Sequence, residues 1–367
     1  MLEPSVKISV ILPIYNMEKY LRQCLESLFA QSLNEIEIIC INDGSSDSSL
    51  DILKELATVD TRVIVIDQQK QGAAAARNTG IKFAKGKFLS ILDADDFFCP
   101  NMLLSAYNKA EDTTADIVIF CCNFFDDDTN KYSNCGWSIK ERYIPSTLFS
   151  SEEVSSYIFQ FCIGWTWDKL FNREFVISHK LEFQNTSIHN DAFFVFTALL
   201  NAKRVAVMKD VLVTKRRNVE TAISSLPSIN AHWKDLFKFI YALDNYLRLN
   251  NEGVYWQSFL NLSLHLAIYD YNRVEGYSKE QMAIYMKNTF FKKYKFYDRS
   301  ADYYYDIHEY NTMLTINSNS VVSPKFTKMI YYFRKYGLVA TIKRIIKELI
   351  TLIEKMKGNK SQRGTMV

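Results

Sequence analysis

Residues 87–96 have the sequence KFLSILDADD, in which a short apolar run ends in three carboxylates. An apolar run of this length, bounded by polar turns, is typical of a buried strand. Carboxylates clustered at the end of such a strand repel one another unless a cation neutralises them. We therefore predict a strand that ends at Leu92 and a divalent-cation site in the acidic run that follows. The alternative is a solvated turn that caps the helix after Pro100.

Short apolar runs alternate with helical patterns along the first 125 residues. This alternation is typical of βαβ units, which form a parallel sheet flanked by helices, so the predicted fold class is α/β. Ligands are then expected in the crevice beyond the carboxyl ends of the strands. The predicted strands span residues 7–12, 36–41, 62–66, 87–92 and 117–124, and the predicted helices span residues 18–30, 45–57 and 73–84.

Three further strand ends carry unusual residues. The segment Pro13-Ile14-Tyr15-Asn16 follows the first strand, Asp43 follows the second, and Arg77 lies on the helix after the third. The Asp43 carboxylate is suited to accept hydrogen bonds from a nucleoside, and a turn before a glycine is the alternative. Arg77 is suited to bind phosphate oxygens or to pair with Asp93, and a solvated helical arginine is the alternative.

Two common phosphate-binding motifs are missing. A dinucleotide fold places Gly-x-Gly-x-x-Gly after the first strand, where this chain has residues 13–16. A P-loop needs Ser or Thr after Gly-Lys, but Gly86-Lys87 is followed by Phe88. A nucleotidyltransferase would also need a Gly-rich, Lys- or Arg-bearing signature after the first strand. The sequence therefore argues against all three classes.

Together these motifs resemble those of the family 2 glycosyltransferases, inverting enzymes with the GT-A fold. The resemblance is strong over residues 6–125 and weakens from there to residue 226. It implies a nucleotide-diphosphate sugar donor, with a UDP-sugar expected, and a divalent cation, Mg²⁺ or Mn²⁺. Asp95 would be the principal metal ligand, and Asp93 would face the ribose or support the metal through water. The implied nucleotide-sugar pocket comprises Pro13, Tyr15, Asn16, Asp43, Arg77, Asp93, Ala94 and Asp95.

The second half of the domain carries two more elements of this resemblance. Residues 167–171, WDKLF, are similar to a Trp-x-Lys-Leu-Phe element at the acceptor side. Residues 189–191, HND, are similar to the family's Glu-Asp segment, whose Asp is the general base, so Asp191 is the expected base. Asn190 stands where the family has Glu, which leaves a smaller acidic cluster. The alternative role for Asp191 is an N-cap of the following helix.

Further basic and aromatic residues belong to the predicted site. His189 is a candidate for an additional metal ligand, with a structural role as the alternative. The family often has a basic loop near the donor diphosphate, and a surface charge run is the alternative here. The residues expected on the acceptor or diphosphate side are Trp167, Lys169, Lys215, Arg216 and Arg217.

The pattern divides the chain into three predicted parts. Residues 1–226 form the glycosyltransferase domain, residues 227–324 a helical domain, and residues 325–367 a basic amphipathic tail. Within the first part, residues 1–125 form the nucleotide half and residues 126–226 the acceptor half. The acceptor half is predicted to contain a polar surface excursion over 126–145, helices over 150–161 and 191–200, and strands over 205–208 and 211–215.

Composition limits the classes that remain. The chain has 367 residues, of which 48% are hydrophobic and 23% charged, so it can bury a large core. Its seven cysteines match neither a zinc-ligand spacing nor an even-numbered disulfide framework, and we expect them to be reduced. The N-terminus has no basic start or cleavage site, and no uncharged apolar stretch reaches the roughly 18 residues of a membrane span. Export is therefore not expected.

Charge is distributed unevenly along the chain. Residues 325–367 contain eleven Lys or Arg and two Glu, a net charge of +9 in a chain whose total is +3. An acidic body with a basic tail argues against a nucleic-acid binder. Apolar residues from Leu338 to Met356 fall on one arc at about 100° per residue, which predicts an amphipathic helix. An anionic membrane surface is the expected partner, and the alternatives are packing on its own domain or a coiled-coil seam in a homodimer.

These observations predict a hexosyl- or N-acetylhexosaminyl-type transferase. We expect it in the cytoplasm, peripherally attached to the inner face of the membrane, where it glycosylates a glycan or lipid-linked acceptor of a capsule or lipopolysaccharide type. An acceptor hydroxyl deprotonated by Asp191 would attack the anomeric carbon while the metal offsets charge on the departing diphosphate. The competing hypothesis is a catalytically silent membrane scaffold, and the retained acidic residues argue against it.

Overall fold

The computed structural model describes residues 6–136, 138–217, 226–250 and 253–318, and the predicted tail at 325–367 lies outside them. The chain divides into two units, the first comprising Met1–Ser263 with Arg273–Ser278 and the second Leu264–Asn272 with Lys279–Val367. The first unit extends past residue 226, the predicted end of the first domain. One cause is that Ser258 accepts hydrogen bonds from the Phe159 N–H (3.2 Å) and, at its carbonyl, from Gln160 Nε2 (2.8 Å).

A mixed sheet of ten strands forms the centre of the first unit. Its strands are β1 (Ile8–Ile14), β2 (Ile36–Asp43), β3 (Val63–Gln68), β4 (Phe88–Ile91), β5 (Phe97–Phe98), β6 (Ile117–Asp126), β7 (Lys131–Asn134), β8 (Leu148–Phe149), β9 (Lys169–Asn172) and β10 (Val205–Arg217). The order along the sheet is β3-β2-β1-β4-β9-β6-β10-β5, while β7 pairs with β6 and β8 with β10. The first four strands in this order are parallel, and so are β6 and β10, whereas β9 is antiparallel to both its neighbours. The predicted α/β class is confirmed.

Helices follow the strands as the alternating pattern predicted. The first, α1 (Leu21–Phe29), fully buries Leu21, Cys24, Leu25 and Leu28, which lie on one face of the helix. The others are α2 (Ser49–Val59), α3 (Ala73–Phe83), α4 (Met102–Thr113), α5 (Arg173–Ser178), α6 (Asn190–Asn201), α7 (Leu226–His232), α8 (Lys234–Leu249), α9 (Trp256–Arg273), α10 (Gly276–Tyr285), α11 (Phe291–Lys293) and α12 (Ile307–Ser318). A π-helical turn, Met286–Phe290, joins α10 to α11.

Two predictions for the acceptor half were wrong in detail, and a third was incomplete. The helix predicted over 150–161 is a 3₁₀ segment, Glu152–Tyr157, with non-helical backbone at Val154. The polar excursion contains β7, which forms a hairpin with β6. The two strands predicted on either side of Lys209 are one strand, β10, because its polar residues lie exposed on a continuous strand instead of forming a turn.

Strand β10 is irregular where it pairs with β6. From Val207 to Val213 it contains three more residues than the facing stretch of β6, Ile119 to Cys122. Extra residues on one strand are β-bulges, which bend the strand and change which side chains face a given side. Beyond Val213 the pairing is regular again up to Arg217.

Close packing fixes α3 against the sheet. A Cβ atom added at Gly80 would lie 2.4 Å from Ile11 Cγ2, so only glycine lets the helix approach β1 this closely. At the end of the same connection, a Cβ at Gly86 would lie 2.4 Å from the backbone nitrogen of Ser9. The buried carboxylate of Glu37 accepts hydrogen bonds from Ser9 Oγ (2.6 Å) and the Lys85 N–H (2.7 Å). These contacts set the position of the helix that carries Arg77.

The second unit contains an aromatic core of its own. Phe290, Phe291 and Phe296 are fully buried in contact with one another, and Tyr304 lies against Phe296. Among the helices in the described ranges, none combines the length and the apolar composition needed to cross a bilayer.

Candidate active site

Three carboxylates meet just after β4. Asp93, Asp95 and Asp96 each offer an oxygen, and these three oxygens lie within 4.8 Å of one another. Asp95 and Asp96 are buried, and Asp93 is half-buried. We call these three residues the acidic cluster. Asp96 was part of the predicted acidic run but was not singled out as a ligand, and its Oδ2 is buried without a hydrogen-bond partner.

The ammonium of Lys215 lies inside this cluster. Its Nζ is 3.1 Å from Asp93 Oδ2, 3.4 Å from Asp95 Oδ1 and 3.3 Å from Asp96 Oδ2. Burial opposes the charged form of Lys215, but the three carboxylates outweigh it and raise the lysine pKa well above its ordinary value. Lys215 therefore remains an ammonium, and the end of β10 lies beside the end of β4.

The three carboxylates differ in how readily they ionise. Burial acts to raise the pKa of Asp93, but Lys215 and Arg77 together overcome it and lower the pKa to about 2. Burial raises the pKa of Asp95, with Lys215 opposing and Asp93 adding to the effect. Burial also raises the pKa of Asp96, and it does so strongly. Ionisation of Asp95 and Asp96 therefore costs free energy in this buried position unless more positive charge is supplied.

Arg77 links the acidic cluster to α6. Its Nη2 donates to Asp93 Oδ1 (2.8 Å), and its Nη1 donates to the amide oxygen of Asn190 (2.6 Å). The guanidinium also lies 5.4 Å from the centre of the Phe183 ring, and its Nε is buried without a partner. Pairing with Asp93 is one of the two roles predicted for Arg77. The alternative, a solvated helical arginine, is excluded because the side chain is buried.

Asp191 lies in the first turn of α6. The N-cap position belongs to His189, in the left-handed region at φ +59°, so Asp191 is not the N-cap that the alternative required. Its Oδ1 accepts the N–H of Ala192 (3.0 Å). Burial raises the pKa of Asp191; Arg77 opposes this rise, and Asp93 adds to it. The imidazole of His189 stacks near Phe239, with ring centres 6.4 Å apart, and His189 is not part of the acidic cluster.

The Asp43 carboxylate organises the loop before α3. It accepts hydrogen bonds from Gln68 Nε2 (2.8 Å), the Gln71 N–H (2.8 Å) and the Gly72 N–H (2.7 Å). Gly72 has φ +96°, a backbone conformation that favours glycine. Asp43 therefore shapes the loop between β3 and α3, and its lone pairs are largely used by that loop.

The segment after β1 contributes one exposed ring. Tyr15 is 37% exposed, and Lys70 Nζ lies 3.8 Å from the centre of its ring. Asn16 has φ +54°, and its side-chain oxygen accepts the Ser46 N–H (2.8 Å). Pro13 is half-buried in β1. Ala94, which the resemblance placed in the pocket, instead packs in the hydrophobic core.

Two residues predicted on the acceptor side are buried. Lys169 is fully buried, and its Nζ donates to Asp168 Oδ1 (2.6 Å) and to the carbonyls of Ile163 (2.9 Å) and Trp165 (2.8 Å). The predicted acceptor-side role of Lys169 is therefore corrected, because its ammonium hydrogen-bonds within its own loop and does not face an acceptor. Trp167 is buried as well, stacked on the half-exposed Trp165 with ring centres 4.6 Å apart.

The three basic residues at the end of β10 point in different directions. Lys215 enters the acidic cluster, whereas Arg216 is buried and donates from Nε to the Asp95 carbonyl (2.9 Å) and from its backbone N–H to Asp96 Oδ1 (2.9 Å). Its guanidinium also pairs with Asp127. Arg217 is exposed and lies 3.8 Å from the centre of the Phe124 ring. The prediction that Arg216 faces the diphosphate is therefore corrected, because its donors hold the turn that carries Asp95 and Asp96.

This sheet, with an acidic cluster at the carboxyl end of a central parallel strand, has a fold of the GT-A type. The same fold is found in TarS of S. aureus, residues 1–349 in complex with UDP-GlcNAc, with a TM-score of 0.52, 17% identity, and coverage of 90% of this chain and 88% of that one. The family model described as Glycosyl transferase family 2 matches residues 9–175 of this chain.

Relatives identified by sequence are also glycosyltransferases by name. EpsH of Bacillus subtilis (strain 168), named as a glycosyltransferase, is 36% identical over 227 residues, which cover 59% of this chain and 62% of EpsH. The poly(ribitol-phosphate) beta-glucosyltransferase of Bacillus spizizenii is 30% identical over 251 residues, 65% of this chain and 37% of that protein. The matches thus span less than two thirds of the length of both relatives.

Proposed function

We propose that this protein is an inverting glycosyltransferase that moves a sugar from a nucleoside-diphosphate donor, a UDP-sugar, to a hydroxyl of a glycan or lipid-linked acceptor. The observation that carries the proposal is Arg77, which joins the acidic cluster to the helix of Asp191. A donor diphosphate bound at the cluster would then have its sugar close to a carboxylate base. The match to the family model and the TarS complex with UDP-GlcNAc support this class of donor.

The residues of the cluster suit a hard divalent cation. Carboxylate oxygens are the ligands that Mg²⁺ and Mn²⁺ prefer, and three of them converge here. The buried Oδ2 of Asp96 receives no hydrogen bond and faces the Lys215 ammonium at 3.3 Å, and burial raises the pKa of Asp95; both observations indicate a need for additional positive charge. Asp95 would bind the cation directly, with Asp93 as a ligand through water. A bound cation would offset the negative charge of the departing diphosphate.

The protein's own residues supply the remaining chemistry. Asp191 would accept the proton of the acceptor hydroxyl, and its raised pKa brings its basicity closer to neutral pH, where a general base is most effective. The hydroxyl oxygen then forms the new bond to the anomeric carbon as the bond to the diphosphate breaks on the opposite face. A single displacement of this kind inverts the configuration. The exposed Tyr15 ring offers the nucleoside base a surface for stacking.

A donor-hydrolysis screen tests the proposal without knowledge of the acceptor. The full-length protein is incubated with UDP-, GDP- and dTDP-sugars in the presence of Mg²⁺, Mn²⁺ or a chelator, and release of the nucleoside diphosphate is measured. We expect turnover of a UDP-sugar that needs a divalent cation and is lost in Asp95→Ala. Asp210→Ala is the matched control, because this exposed carboxylate on β10 lies outside the acidic cluster. A fully active Asp95→Ala variant would contradict the assignment.

The acceptor and the location of the protein are proposed on different grounds. The poly(ribitol-phosphate) beta-glucosyltransferase, whose name gives a polymer as its acceptor, supports a polymeric acceptor for this chain as well. The +9 charge of residues 325–367 supports peripheral attachment to the anionic inner face of the membrane. Truncation before Phe326 should abolish flotation with vesicles rich in phosphatidylglycerol, with phosphatidylcholine vesicles as the control. Unchanged flotation would count against attachment, and sedimentation of the truncated protein would test the homodimer alternative.

A further inference from the structure

The position of the Lys215 ammonium inside the acidic cluster has a consequence beyond sugar transfer itself. We propose that Lys215 is an exchangeable counter-ion, which neutralises Asp93, Asp95 and Asp96 in the donor-free protein and leaves them for the donor diphosphate when a metal ion binds. The inference rests on the proposed function, since it assumes that a divalent cation and a nucleoside diphosphate meet at this cluster.

The geometry places the ammonium at the common centre of the three carboxylates. Its distances to one oxygen of each differ by only 0.3 Å, from 3.1 to 3.4 Å. The ammonium donates to Asp93 Oδ2 and Asp95 Oδ1, and it contacts Asp96 Oδ2 as an ion pair. A metal ion would use the same oxygens at about 2.1 Å. The two cations would then repel each other across a few ångströms, so they compete for the cluster.

The neighbouring arginines are committed elsewhere. Arg77 divides its donors between Asp93 and Asn190. Arg216 gives its Nε to the Asp95 carbonyl and pairs with Asp127. Among the described residues, Lys215 is thus the cation that lies within 3.4 Å of all three carboxylates, and its departure would remove this shared counter-ion from all of them together.

Lysine is also the residue suited to such an exchange. Its ammonium is a point charge on a flexible stem, whereas an arginine is held by the fixed geometry of its guanidinium. The Lys215 side chain is 23% exposed, so it has access to the open side of the cluster, and its Nζ lies 5.9 Å from the centre of the Trp167 ring. A diphosphate bound beside the cluster would offer the ammonium new anionic oxygens within the reach of the same stem.

Competition of this kind couples the metal to the donor. In the free protein, a metal ion must displace Lys215, so its apparent affinity is reduced. A diphosphate that draws Lys215 away removes this cost, and by reciprocity the metal then strengthens diphosphate binding to the same extent. The coupling has a component that depends on Lys215, in addition to direct contact between metal and phosphate.

Binding of Mn²⁺ to the full-length protein tests the exchange without any turnover. The free ion is measured by electron paramagnetic resonance for the wild type, Lys215→Met and Lys209→Met, each with and without UDP, after calibration with UDP alone. Lys209 lies on the same strand and is 72% exposed, so Lys209→Met is the same substitution away from the cluster. We expect Lys215→Met to bind Mn²⁺ at least about tenfold more tightly without UDP, a difference of about 1.4 kcal/mol. We also expect UDP to strengthen Mn²⁺ binding less in Lys215→Met than in the wild type.

The opposite outcome has a clear meaning. If Lys215→Met binds Mn²⁺ no more tightly than the wild type, Lys215 orders the carboxylates instead of competing for them, and the exchange is wrong. Circular dichroism and thermal unfolding check that the variant folds; should it not, Lys215→Gln removes the charge but keeps an N–H donor, and a smaller change in the same direction is expected. If Mn²⁺ binds no variant with or without UDP, the metal assignment fails together with the exchange. Binding of UDP in the same titration then still tests the donor proposal.

Discussion

Arg77 Nη1 donates a 2.6 Å hydrogen bond to the side-chain oxygen of Asn190, a residue 113 positions away in the sequence. The same guanidinium contacts Asp93 from its other terminal nitrogen. One buried side chain therefore sets the distance between the acidic cluster and the helix that presents Asp191. Where the resemblance implies Glu, this chain has Asn190, and the amide keeps the contact with Arg77 without adding a negative charge.

Asn190→Ala should therefore affect both stability and turnover. The substitution leaves a buried guanidinium donor unpaired, which costs about 1–3 kcal/mol of unfolding free energy. We expect kcat to fall more than the affinity for UDP. The reason is that α6 loses its hydrogen bond to Arg77, while Tyr15 and Asp43 on the proposed nucleoside side are unchanged. Denaturant unfolding and calorimetric UDP binding measure the two effects. Asn190→Glu, which restores an acceptor for Arg77, should recover most of the stability; equal stability of Asn190→Ala and the wild type would contradict this role.

Asp191→Asn should stabilise the protein while abolishing transfer. A carboxyl whose folded pKa is raised favours the protonated form, so its ionisation above the unfolded pKa costs stability. The neutral amide avoids this cost, and we expect a higher melting temperature at pH 7.5 than for the wild type. The difference should shrink as the pH falls towards the unfolded pKa of about 3.9. A variant that melts lower at pH 7.5 would show that the Asp191 charge is stabilising.

The same group should set the acidic limb of the pH–rate profile. A general base works in its deprotonated form, so transfer should be lost as the pH falls through the folded pKa of Asp191. Because that pKa is raised, the limb should lie above the range of an ordinary aspartate. The measurement is kcat/KM for the acceptor over the whole pH range in which the protein stays folded, with donor binding followed separately. A profile with no acidic limb above the range of an ordinary aspartate would mean that another group accepts the proton.

Lys169→Met should destabilise the protein far more than it alters acceptor use. Lys169 and Asp168 are both fully buried, so loss of the ammonium leaves an uncompensated carboxylate, at a cost of about 3–5 kcal/mol. Burial already raises the pKa of Asp168 even with Lys169 opposing. The double variant Asp168→Asn/Lys169→Met removes both charges and should recover part of the loss in denaturant unfolding. A stable single variant with a higher KM for the acceptor would restore the role that the resemblance first implied.

Gly86→Ala tests the packing that positions the helix of Arg77. Its Cβ would meet backbone atoms of Ser9 and Ile8 at 2.4 and 2.7 Å, which have little room to move. Overpacking of this kind costs about 1–3 kcal/mol, and the Ser9 hydrogen bonds would be disturbed as well. Gly253→Ala is the control, because a Cβ there meets nothing within 4 Å. Equal melting temperatures for the two variants would contradict the close approach.

The sequence was sufficient for the nucleotide half of the fold because each strand there ends at a local polar signal. The change from Leu92 to Asp93 marks the end of a strand, and the spacing of apolar residues marks the buried face of α1. Both features can be recognised from neighbouring residues alone. The sequence predicted two strands in place of β10 because Lys209 and Asp210 are polar. The pairing with β6 shows that one strand continues through them. The short strand β5 and the hairpin of β7 likewise depend on partners distant in sequence.

The site was predictable in its residue types but not in its directions. Lys215, Arg216 and Arg217 form one basic run, yet one enters the acidic cluster, one holds a turn and one covers Phe124. Lys169 was placed at the acceptor side because the motif names the residue without showing that its partner, Asp168, is buried beside it. Asp96 joined the cluster through tertiary contacts, although three carboxylates in four residues were a visible signal.

The extra residues of β10 determine which basic side chain reaches the carboxylates. Successive side chains of a strand point to opposite faces, and the three additional residues between Val207 and Val213 are an odd number. A deletion of one of them that kept the pairing up to Val207 and moved every later residue of β10 by one position along β6 would present Arg216, in place of Lys215, to the cluster. The number of residues in this short stretch thus determines which side chain faces the carboxylates. Chains related by a single-residue insertion or deletion there would need their lysine one position away to keep an ammonium in the cluster.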